Sequence, residues 1–399
     1  MNICLLSLNL YMHGGIQRVI PNVINEMTKQ HDITIIMPYS KNDSNIFGLD
    51  NNISLVNLND FPKHNKYTID GAVSLGVWKL NKRYGFLNNE FGSKILGKLM
   101  FSAKQQESLV SYINENKFDI VVALTDYYSL LLSVIAPYLN AKTIGWQHNT
   151  YDSYFLMKNR NSYGQENLFK KMMRNLDHLI VLTDADKEKY SKEFNVPTST
   201  LYNPVSYAIS QDSPKQENPL IFVGRLYQYQ KGIDYLIDII EEIKKYKPTI
   251  QIVLVGDGPD HQHIYDDVKN RGLQDNVRFA GMSSNVSSYY EKASVFLHTS
   301  RYEGFGVVLI EAMAFGIPVV AFHNNGPDEI ITDGTDGFLI DKYDISNFAK
   351  KVIELLDDRE EFNRVSCNAK KRVEAFLPRK VTEKFVKILY TVLNDDGEV

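Results

Sequence analysis

The sequence predicts an α/β protein built from two doubly wound domains, and three observations support this fold class. Short apolar runs rich in β-branched residues alternate with helix-length amphipathic segments, which is typical of parallel sheets covered by helices on both faces. This alternation occurs as two successive series, the second beginning at Leu220. A chain of 399 residues is also too long for one ordinary hydrophobic core.

The first series predicts an N-terminal domain over residues 1–203. Its strands are expected in segments that are apolar without alternation, as in strands buried on both faces: NICLLSLNL, DITIIMP, FDIVVALT, KTIGWQH and HLIVLT. Residues 204–219 contain three prolines and few large apolar side chains, so we expect an exposed linker there.

The second series predicts a C-terminal domain over residues 220–378. Its expected strands are LIFVG, IQIVLVG, VRFAG, SVFLHTS and IPVVAF. Residues 379–399 place apolar side chains at helical spacing, which predicts a final helix that packs back on the first domain.

Composition and charge exclude several classes of protein. A net charge of -4 argues against a protein that mainly coats nucleic acid, so no nucleic-acid partner is expected. The cysteines Cys4 and Cys367 fit neither a disulfide framework nor a zinc spacing, which indicates a reducing compartment. The N-terminal apolar run is too short for a membrane span and lacks the features of a signal peptide. A cytoplasmic location is therefore expected, at most peripheral at the inner face of the cell membrane.

One segment departs from the α/β alternation. Residues 61–118 carry nine Lys and Arg against four Asp and Glu, with aromatic residues interleaved. Two interpretations stay open: an ordinary solvated helical insertion, or a basic amphipathic face that binds anionic lipid headgroups. A second basic cluster in residues 158–174 favours the membrane interpretation.

The first strand runs into HGGIQ, where Gly14 and Gly15 precede a helix with apolar positions on one face. Strand, glycines and helix form a geometry that binds phosphate, because the backbone can approach the anion and the helix N-terminus stabilises its charge. The motif is neither G-x-G-x-x-G nor a Walker loop, so alone it predicts no more than a tight turn.

Two cations follow the first strand of the second domain, in GRLYQYQKG. Arg225 and Lys231 lie at the carboxyl edge of the predicted sheet, where open α/β sheets bind ligands. Their combination suits a diphosphate, since arginine binds oxygens bidentately and lysine acts as a point charge. The later VGDGPD is interpreted as a mainly structural turn, with Asp257 near the same edge.

Two glutamates lie in RYEGFGVVLIEAMAF. Glu303 is expected in a loop near a helix N-terminus, whereas Glu311 falls inside the apolar helix, where an unpaired charge would be costly and a partner is needed. Eight helical positions span about 12 Å, more than the ~5 to 9.5 Å between the carboxylates of a glycosidase. One long ligand with hydroxyls and phosphates, such as a nucleotide sugar, could contact both.

The order of GGIQ, GRLYQYQKG, GDGP and EGFGVVLIE resembles the retaining family 4 glycosyltransferases of the GT-B fold, over essentially the whole chain. The resemblance implies two Rossmann-like domains that face each other across a cleft. It also implies metal-independent, retaining transfer of a hexose or N-acetylhexosamine from a nucleotide sugar, and GPDEI (residues 326–330) resembles a variant found in members that use UDP donors. The implied acceptor is a lipid-linked or growing glycan in surface polysaccharide assembly, as in capsule or O-antigen.

The resemblance also implies roles for individual residues. Arg225 and Lys231 would bind the donor diphosphate and support the leaving group, so no metal or other cofactor is expected. Glu303 would contact the transferred sugar, and Glu311 would accept hydrogen bonds from the ribose hydroxyls. The histidine of GWQHN, His148, matches the family residue that faces the donor sugar, and completes the implied catalytic set of Glu303, His148, Arg225 and Lys231. The other implied donor-binding positions are Gly15, Asp257, Gly304, Phe305 and Gly306.

Three other classes of protein remain as alternatives. A GT-B epimerase acting on a UDP-amino sugar should lack the paired cations and spaced glutamates, whereas a non-catalytic nucleotide-sugar-binding protein would keep them without turnover. A dehydrogenase would require a fuller glycine motif than HGGIQ. Two metal-like patterns are discounted: DAD at residues 184–186 is interpreted as helix capping, and His261 and His263 do not face one another on a helix.

Overall fold

The computed structural model describes residues 1–12, 14–40, 42–63, 69–157 and 162–395. It divides the chain into two compact units. Unit 1 comprises Met1–Tyr202 with Pro378–Val399, and unit 2 comprises Asn203–Leu377. Each unit has one parallel sheet with helices between its strands, so the predicted α/β fold class is confirmed.

The described part of unit 1 has a sheet of order β3-β2-β1-β4-β5-β6-β7, in which every neighbouring pair is parallel. Its strands are β1 (Asn2–Leu6), β2 (Asp32–Met37), β3 (Ser54–Asn57), β4 (Ile120–Leu124), β5 (Lys142–Trp146), β6 (His178–Val181) and β7 (Thr198–Thr200). The helices that precede unit 2 are α1 (Gly15–Met27), α2 (Ile69–Tyr84), α3 (Glu90–Met100), α4 (Ala103–Glu115), α5 (Thr125–Ile135), α6 (Tyr151–Phe155), α7 (Glu166–Met172) and α8 (Asp184–Phe194). The five predicted strands correspond to β1, β2, β4, β5 and β6.

The sheet of unit 2 has the order β10-β9-β8-β11-β12-β13 and is also parallel. Its strands are β8 (Leu220–Val223), β9 (Ile252–Val255), β10 (Val277–Gly281), β11 (Phe296–His298), β12 (Val319–Phe322) and β13 (Phe338–Ile340). Its helices are α9 (Gln228–Lys231), α10 (Ile233–Tyr246), α11 (His261–Asn270), α12 (Ser287–Tyr290), α13 (Val307–Ala314), α14 (Asn325–Ile330), α15 (Ile345–Asp357) and α16 (Arg359–Val373). The strand order reverses between β8 and β11, and ligands of open α/β sheets bind at the carboxyl edge beside such a reversal.

The last helix, α17 (Pro378–Asn394), belongs to unit 1. Its apolar face is buried in one cluster with side chains of α1 and of the unit 1 strands. The ring of Phe385 lies 4.8 Å from that of Trp146 at the end of β5, and Thr382 Oγ1 donates a hydrogen bond to the carbonyl of Val23 in α1. Burial of this apolar stripe holds the C-terminal end of the chain on unit 1.

Residues 204–219 have no helix or strand, but they are not uniformly exposed as expected for a linker. Val205 is 1% exposed and its N–H donates to the carbonyl of Phe376, and the N–H of Ser210 donates to the carbonyl of Ala314. These backbone hydrogen bonds anchor the first part of the segment to unit 2. The expectation of an exposed linker is therefore wrong for that part, because its backbone is hydrogen-bonded to unit 2 and the ring of Tyr207 packs on that of Phe315, directly after α13.

The basic segment forms the helices α2, α3 and α4. The side chains of Lys82, Arg83, Lys94 and Lys98 lie outside the described residues, as do residues 66, 158 and 160. The lipid-binding surface in residues 61–118 and 158–174 therefore stays a prediction. Within the parts of the chain that the structure describes, no helix combines the length and the hydropathy that a membrane crossing requires.

The DAD sequence forms the first turn of α8. Thr183 Oγ1 accepts a hydrogen bond from the N–H of Asp186 at 3.1 Å and donates one to its carboxylate, also at 3.1 Å. The N–H of Tyr151 donates to the same carboxylate at 3.0 Å, and Asp186 is 2% exposed. These contacts are those of a helix cap.

The buried Asp186 predicts a specific pH dependence of stability. Burial raises the pKa of its carboxyl to about 6, although the hydrogen bonds from Tyr151 and Thr183 oppose the shift. Because this folded-state pKa lies above the unfolded value of ~3.9, the contribution of the group is fully present below about pH 4 and is lost as the pH rises through 6. Between these pH values the unfolding free energy of the unsubstituted protein should fall by about 2–3 kcal/mol because of this group. Asp186→Asn, which has no group that titrates there, should lack this fall. Urea denaturation of both proteins between pH 4 and pH 7 measures it, and parallel curves would contradict the assignment.

Candidate active site

The loop after β8 carries the two predicted cations and is held against the loop after β9. The N–H of Leu226 donates to the carbonyl of Asp257 at 3.0 Å, and the N–H of Asp260 donates back to the carbonyl of Leu226 at 3.2 Å. Arg225 is exposed at the start of this loop, and Lys231 ends α9. Both cations thus lie at the carboxyl edge of the sheet, on the strand beside the reversal of strand order.

Glycines allow the close approach of these two loops. A Cβ atom on Gly256 would lie 2.0 Å from the carbonyl oxygen of Gly224, and one on Gly258 would lie 2.3 Å from that of Leu226. This supports the interpretation of VGDGPD as a mainly structural turn. Asp257 itself is exposed, with Oδ1 accepting a hydrogen bond from the N–H of Gly258 at 2.7 Å.

Lys231 and Glu303, 72 residues apart in sequence, form an ion pair. Lys231 Nζ lies 2.5 Å from Glu303 Oε2, and the two side chains are 13% and 16% exposed. Ser300 Oγ donates to the same carboxylate oxygen at 3.3 Å. Thr299 Oγ1 also donates to the carbonyl of Lys231 at 2.9 Å, which fixes the end of α9 to the end of β11. The structure therefore brings together two residues that the sequence assigned to the reaction.

Glu303 is ionised in this environment. Burial by itself raises the pKa of its carboxyl, but the charge of Lys231 and the neighbouring His298 lower it, and the net pKa lies well below the usual range. A group with a depressed folded-state pKa stabilises the fold at pH values above its unfolded pKa of ~4.3, and this stabilisation is lost as the pH falls. Around neutral pH the site contains a fixed negative charge beside a fixed positive one.

His298 is a site residue that the sequence analysis missed. It ends β11, is 2% exposed, and its Nε2 lies 3.6 Å from Glu303 Oε2. Burial lowers the pKa of its imidazole, against the opposing effect of Glu303, so the ring is neutral around neutral pH. The available signal was its place in SVFLHTS, as the last strand residue before the loop that carries Glu303.

Three of the predicted donor-binding residues, Gly304, Phe305 and Gly306, lie directly before α13. Gly306 is its N-cap with φ 96° and ψ 52°, a left-handed conformation that glycine adopts without strain. Phe305 is 2% exposed, and a Cβ atom on Gly326 would lie 2.1 Å from its carbonyl oxygen, so α14 packs closely on this loop. The first N–H groups of α13 have no acceptor within the helix, and the helix dipole favours an anion at this end.

Glu311 lies inside α13 and is fully buried at 0% exposure. Its expected need for a partner is met within the protein, since Tyr290 Oη donates a hydrogen bond to Glu311 Oε2 at 3.2 Å. The ring of Tyr290 is stacked on that of Phe315, with centroids 5.4 Å apart. An aromatic cluster at the end of α12 thus positions the second glutamate.

Removing this hydroxyl has an expected cost. A buried carboxylate that loses a donor retains its desolvation penalty, so Tyr290→Phe is expected to lower the unfolding free energy by about 1–3 kcal/mol. The stacking on Phe315 is preserved in this variant, which isolates the hydrogen bond. Urea denaturation at pH 7 measures the change, with Tyr289→Phe on the same helix as the matched control. A loss below about 0.5 kcal/mol would show that Tyr290 contributes little to holding Glu311.

Two of the predicted site residues, Gly15 and His148, lie in unit 1. Gly15 is the first residue of α1, and no atom lies within 4 Å of the position of an added Cβ. His148 follows β5, and its ring packs on that of Trp146 with centroids 4.7 Å apart. Burial lowers the pKa of His148 to about 3, so its imidazole is neutral. Its Nε2 is buried and has no hydrogen-bond partner among the described residues.

The part of the chain that the structure describes contains no group of three or more His, Cys, Asp and Glu side chains that could hold a metal ion. In unit 2 the cations, the carboxylate of Glu303 and the N-terminal end of α13 adjoin loops at one sheet edge. Such an arrangement can bind an anion through Lys231 and Arg225 and a hydroxyl through Glu303.

Part of the chain that includes this site is similar to a known family. Residues 207–372 match the model of the family described as Glycosyl transferases group 1, and the match includes the unit 2 residues from Arg225 to Glu311. A Haemophilus influenzae protein named "Uncharacterized glycosyltransferase" is 26% identical over 388 residues, covering 96% of this chain and 98% of the relative.

A second relative has a defined activity in its name. It is the Campylobacter jejuni "GalNAc-alpha-(1->4)-GalNAc-alpha-(1->3)-diNAcBac-PP-undecaprenol alpha-1,4-N-acetyl-D-galactosaminyltransferase", 26% identical over 391 residues and 96% of each chain. The crystal structure of Anabaena HepE in complex with UDP and glucose aligns over 98% of this chain and 100% of that chain, with a TM-score of 0.73 and 15% identity. The likeness to that structure confirms the fold.

Proposed function

We propose that this chain is a retaining glycosyltransferase that uses a UDP-linked hexose or N-acetylhexosamine as its donor. Residues 207–372 match the glycosyl transferases group 1 family, a relative named a glycosyltransferase aligns over 96% of the chain, and HepE has the same fold, all of which support the proposal. We propose as acceptor a lipid-linked or growing glycan in surface polysaccharide biosynthesis. The observation that carries the proposal is the ion pair of Lys231 and Glu303 at the carboxyl edge of the unit 2 sheet.

In the proposed reaction, Lys231 and Arg225 bind the donor diphosphate. As the bond between the sugar and the diphosphate breaks, negative charge grows on the leaving oxygen, and the two cations stabilise it. The N-terminal end of α13 adds a positive dipole. These groups supply the charge that a metal supplies in other transferases, which supports a metal-independent reaction.

Glu303 is proposed to contact the transferred sugar. Its ionised carboxylate accepts hydrogen bonds from sugar hydroxyls and stabilises positive charge that develops on the ring. The acceptor hydroxyl would attack from the face that the diphosphate leaves and would pass its proton to the leaving diphosphate oxygen, so an α-linked donor would give an α-linked product. Glu311 is proposed to bind the ribose hydroxyls, and Gly15, His148, Asp257 and the backbone of residues 304–306 complete the proposed set.

The comparisons support the choice of donor and acceptor class. HepE is a structural neighbour solved with UDP and glucose, and the name of the Campylobacter relative includes an undecaprenol-linked glycan. A lipid-linked acceptor would also account for the basic composition of residues 61–118 and 158–174 through contact with anionic headgroups. Anionic liposomes at low salt test this part, and absence of cosedimentation would reject it.

A donor panel tests the proposed activity. The purified protein is incubated with UDP-glucose, UDP-galactose, UDP-N-acetylglucosamine, UDP-N-acetylgalactosamine and GDP-mannose, with and without lipid extracts, and released nucleotide is measured with and without EDTA. We expect one UDP-sugar to release UDP only when the extract is present, with undiminished rate in EDTA. Proton NMR of the product gives the anomeric configuration. Conversion of a UDP-sugar to its epimer without extract would instead favour the epimerase alternative, and binding without turnover would favour a non-catalytic binding protein.

A further inference from the structure

His298 carries two buried ring nitrogens that form no hydrogen bond with any described residue. The side chain is almost fully buried at the end of β11, and burial of unsatisfied polar atoms costs free energy. A buried imidazole with unpartnered ring nitrogens beside a candidate active site therefore calls for an explanation, and a role in the site is one. Its Nε2 lies 3.6 Å from the carboxylate oxygen Oε2 of Glu303, too far for a normal hydrogen bond.

That oxygen is already bound by Lys231, at 2.5 Å. A donor diphosphate would compete for the same ammonium group, because Lys231 is the proposed leaving-group cation. When Lys231 turns toward the phosphates, Glu303 loses its ion-pair partner while only 16% exposed, and an uncompensated charge in such a place is costly. The His298 nitrogen would need to approach by only about 0.6 Å to form a normal hydrogen bond with it.

We propose that His298 is a positioning residue: in the donor complex its Nε2–H donates a hydrogen bond to Glu303 Oε2 and holds the carboxylate in place after Lys231 has turned to the diphosphate. The inference rests on the proposed function. No proton is transferred, since the neutral ring donates through Nε2–H and Glu303 stays ionised. His298 thereby offsets the loss of the ion pair and keeps Glu303 beside the sugar.

Calorimetric titration with UDP tests the proposal in the full chain. We expect His298→Met to weaken UDP binding by about 10- to 100-fold, the effect of a hydrogen bond to a charged group. His298→Gln should bind within about threefold of the unsubstituted protein, because the glutamine amide reaches as far as the imidazole Nε2. His263→Met, an exposed histidine on α11, is the matched control and should leave binding unchanged. If His298→Met fails to fold, His298→Asn, whose amide is one bond shorter, takes its place with the same expectation.

A double-mutant cycle separates positioning from general packing. In a Glu303→Gln background the proposed partner has lost its charge, so adding His298→Met should change UDP affinity by less than about threefold. A purely structural role would produce the same loss in both backgrounds, and that result would overturn the inference. Equal UDP binding by the unsubstituted protein and His298→Met would also overturn it while leaving the proposed function intact. Failure of the unsubstituted protein to bind UDP, GDP or ADP would reject the proposed function, and this inference with it.

Discussion

Lys231→Ala is expected to lower kcat/KM for the donor by about 10²- to 10³-fold, the typical loss on removing one group that stabilises developing negative charge. Lys231 ends α9 in the connection that follows β8, where the diphosphate is proposed to bind, and its side chain is 13% exposed, so solvent screens its charge only partly. UDP affinity should fall as well, because the same cation is proposed to contact the diphosphate before and after transfer. Released UDP, measured over a range of donor concentrations, gives the loss.

The same substitution leaves Glu303 without its cation. Burial then raises the pKa of this carboxyl, and the loss of one partner of a poorly exposed ion pair destabilises the fold. Circular dichroism and the unfolding midpoint must therefore accompany the kinetics. Lys269→Ala, an exposed lysine on α11, controls for the removal of a positive charge from unit 2. Activity within about threefold of the unsubstituted protein would remove Lys231 from the proposed reaction.

The central strands were predictable from sequence, whereas of the four edge strands in the two described sheets only β10 was. Strands such as β4 are buried on both faces, and their sequences are therefore unbroken runs of apolar residues. The edge strands β3 (Ser54–Asn57) and β7 (Thr198–Thr200) are short and partly polar, as edge strands commonly are, so no apolar run marks them. The first part of the linker was misjudged for a related reason, since Val205 alone does not reveal that its backbone bonds to Phe376.

Candidate site residues could be named from sequence where glycines and charges occur in fixed order along the chain. Arg225, Lys231 and Glu303 were assigned from such motifs, and the contact between Lys231 and Glu303 follows from neighbouring strands ending at one edge. His298 and Tyr290 were missed because a buried histidine and a buried tyrosine in apolar surroundings look like core residues in sequence. Their roles depend on which carboxylate each one contacts, and that is a property of the folded chain.

The presence of Tyr290 beside Glu311 changes the meaning of the second glutamate. A carboxylate inside an apolar helix was expected to need a partner, and the hydroxyl of a protein side chain meets part of that need. Tyr290 thus holds Glu311 in position, which would lower the cost of ordering the site if Glu311 binds the ribose as proposed. Glu303 differs, since its cation is the very group that the donor would engage.

Glu303→Gln is expected to separate chemistry from nucleotide binding. The neutral amide no longer stabilises positive charge on the transferred sugar, so kcat should fall by about 10²- to 10³-fold. UDP binding should stay equal or become tighter, because Lys231 is released from its 2.5 Å ion pair and turns to the diphosphate without competition. Steady-state kinetics and calorimetric titration with UDP measure the two quantities on one preparation.

A fall in kcat without a fall in UDP affinity would distinguish Glu303 from Lys231, its partner in the ion pair. Lys231→Ala should lose both, whereas Glu303→Gln should lose turnover alone, since only the lysine is proposed to contact phosphate. Glu291→Gln, an exposed glutamate after α12, controls for the loss of one negative charge. A parallel fall of UDP affinity in Glu303→Gln would mean that the carboxylate holds Lys231 in its binding position rather than competing with the donor for it. In that case the ion pair would be part of the bound state, and the exchange of partners at Glu303 Oε2 would not occur.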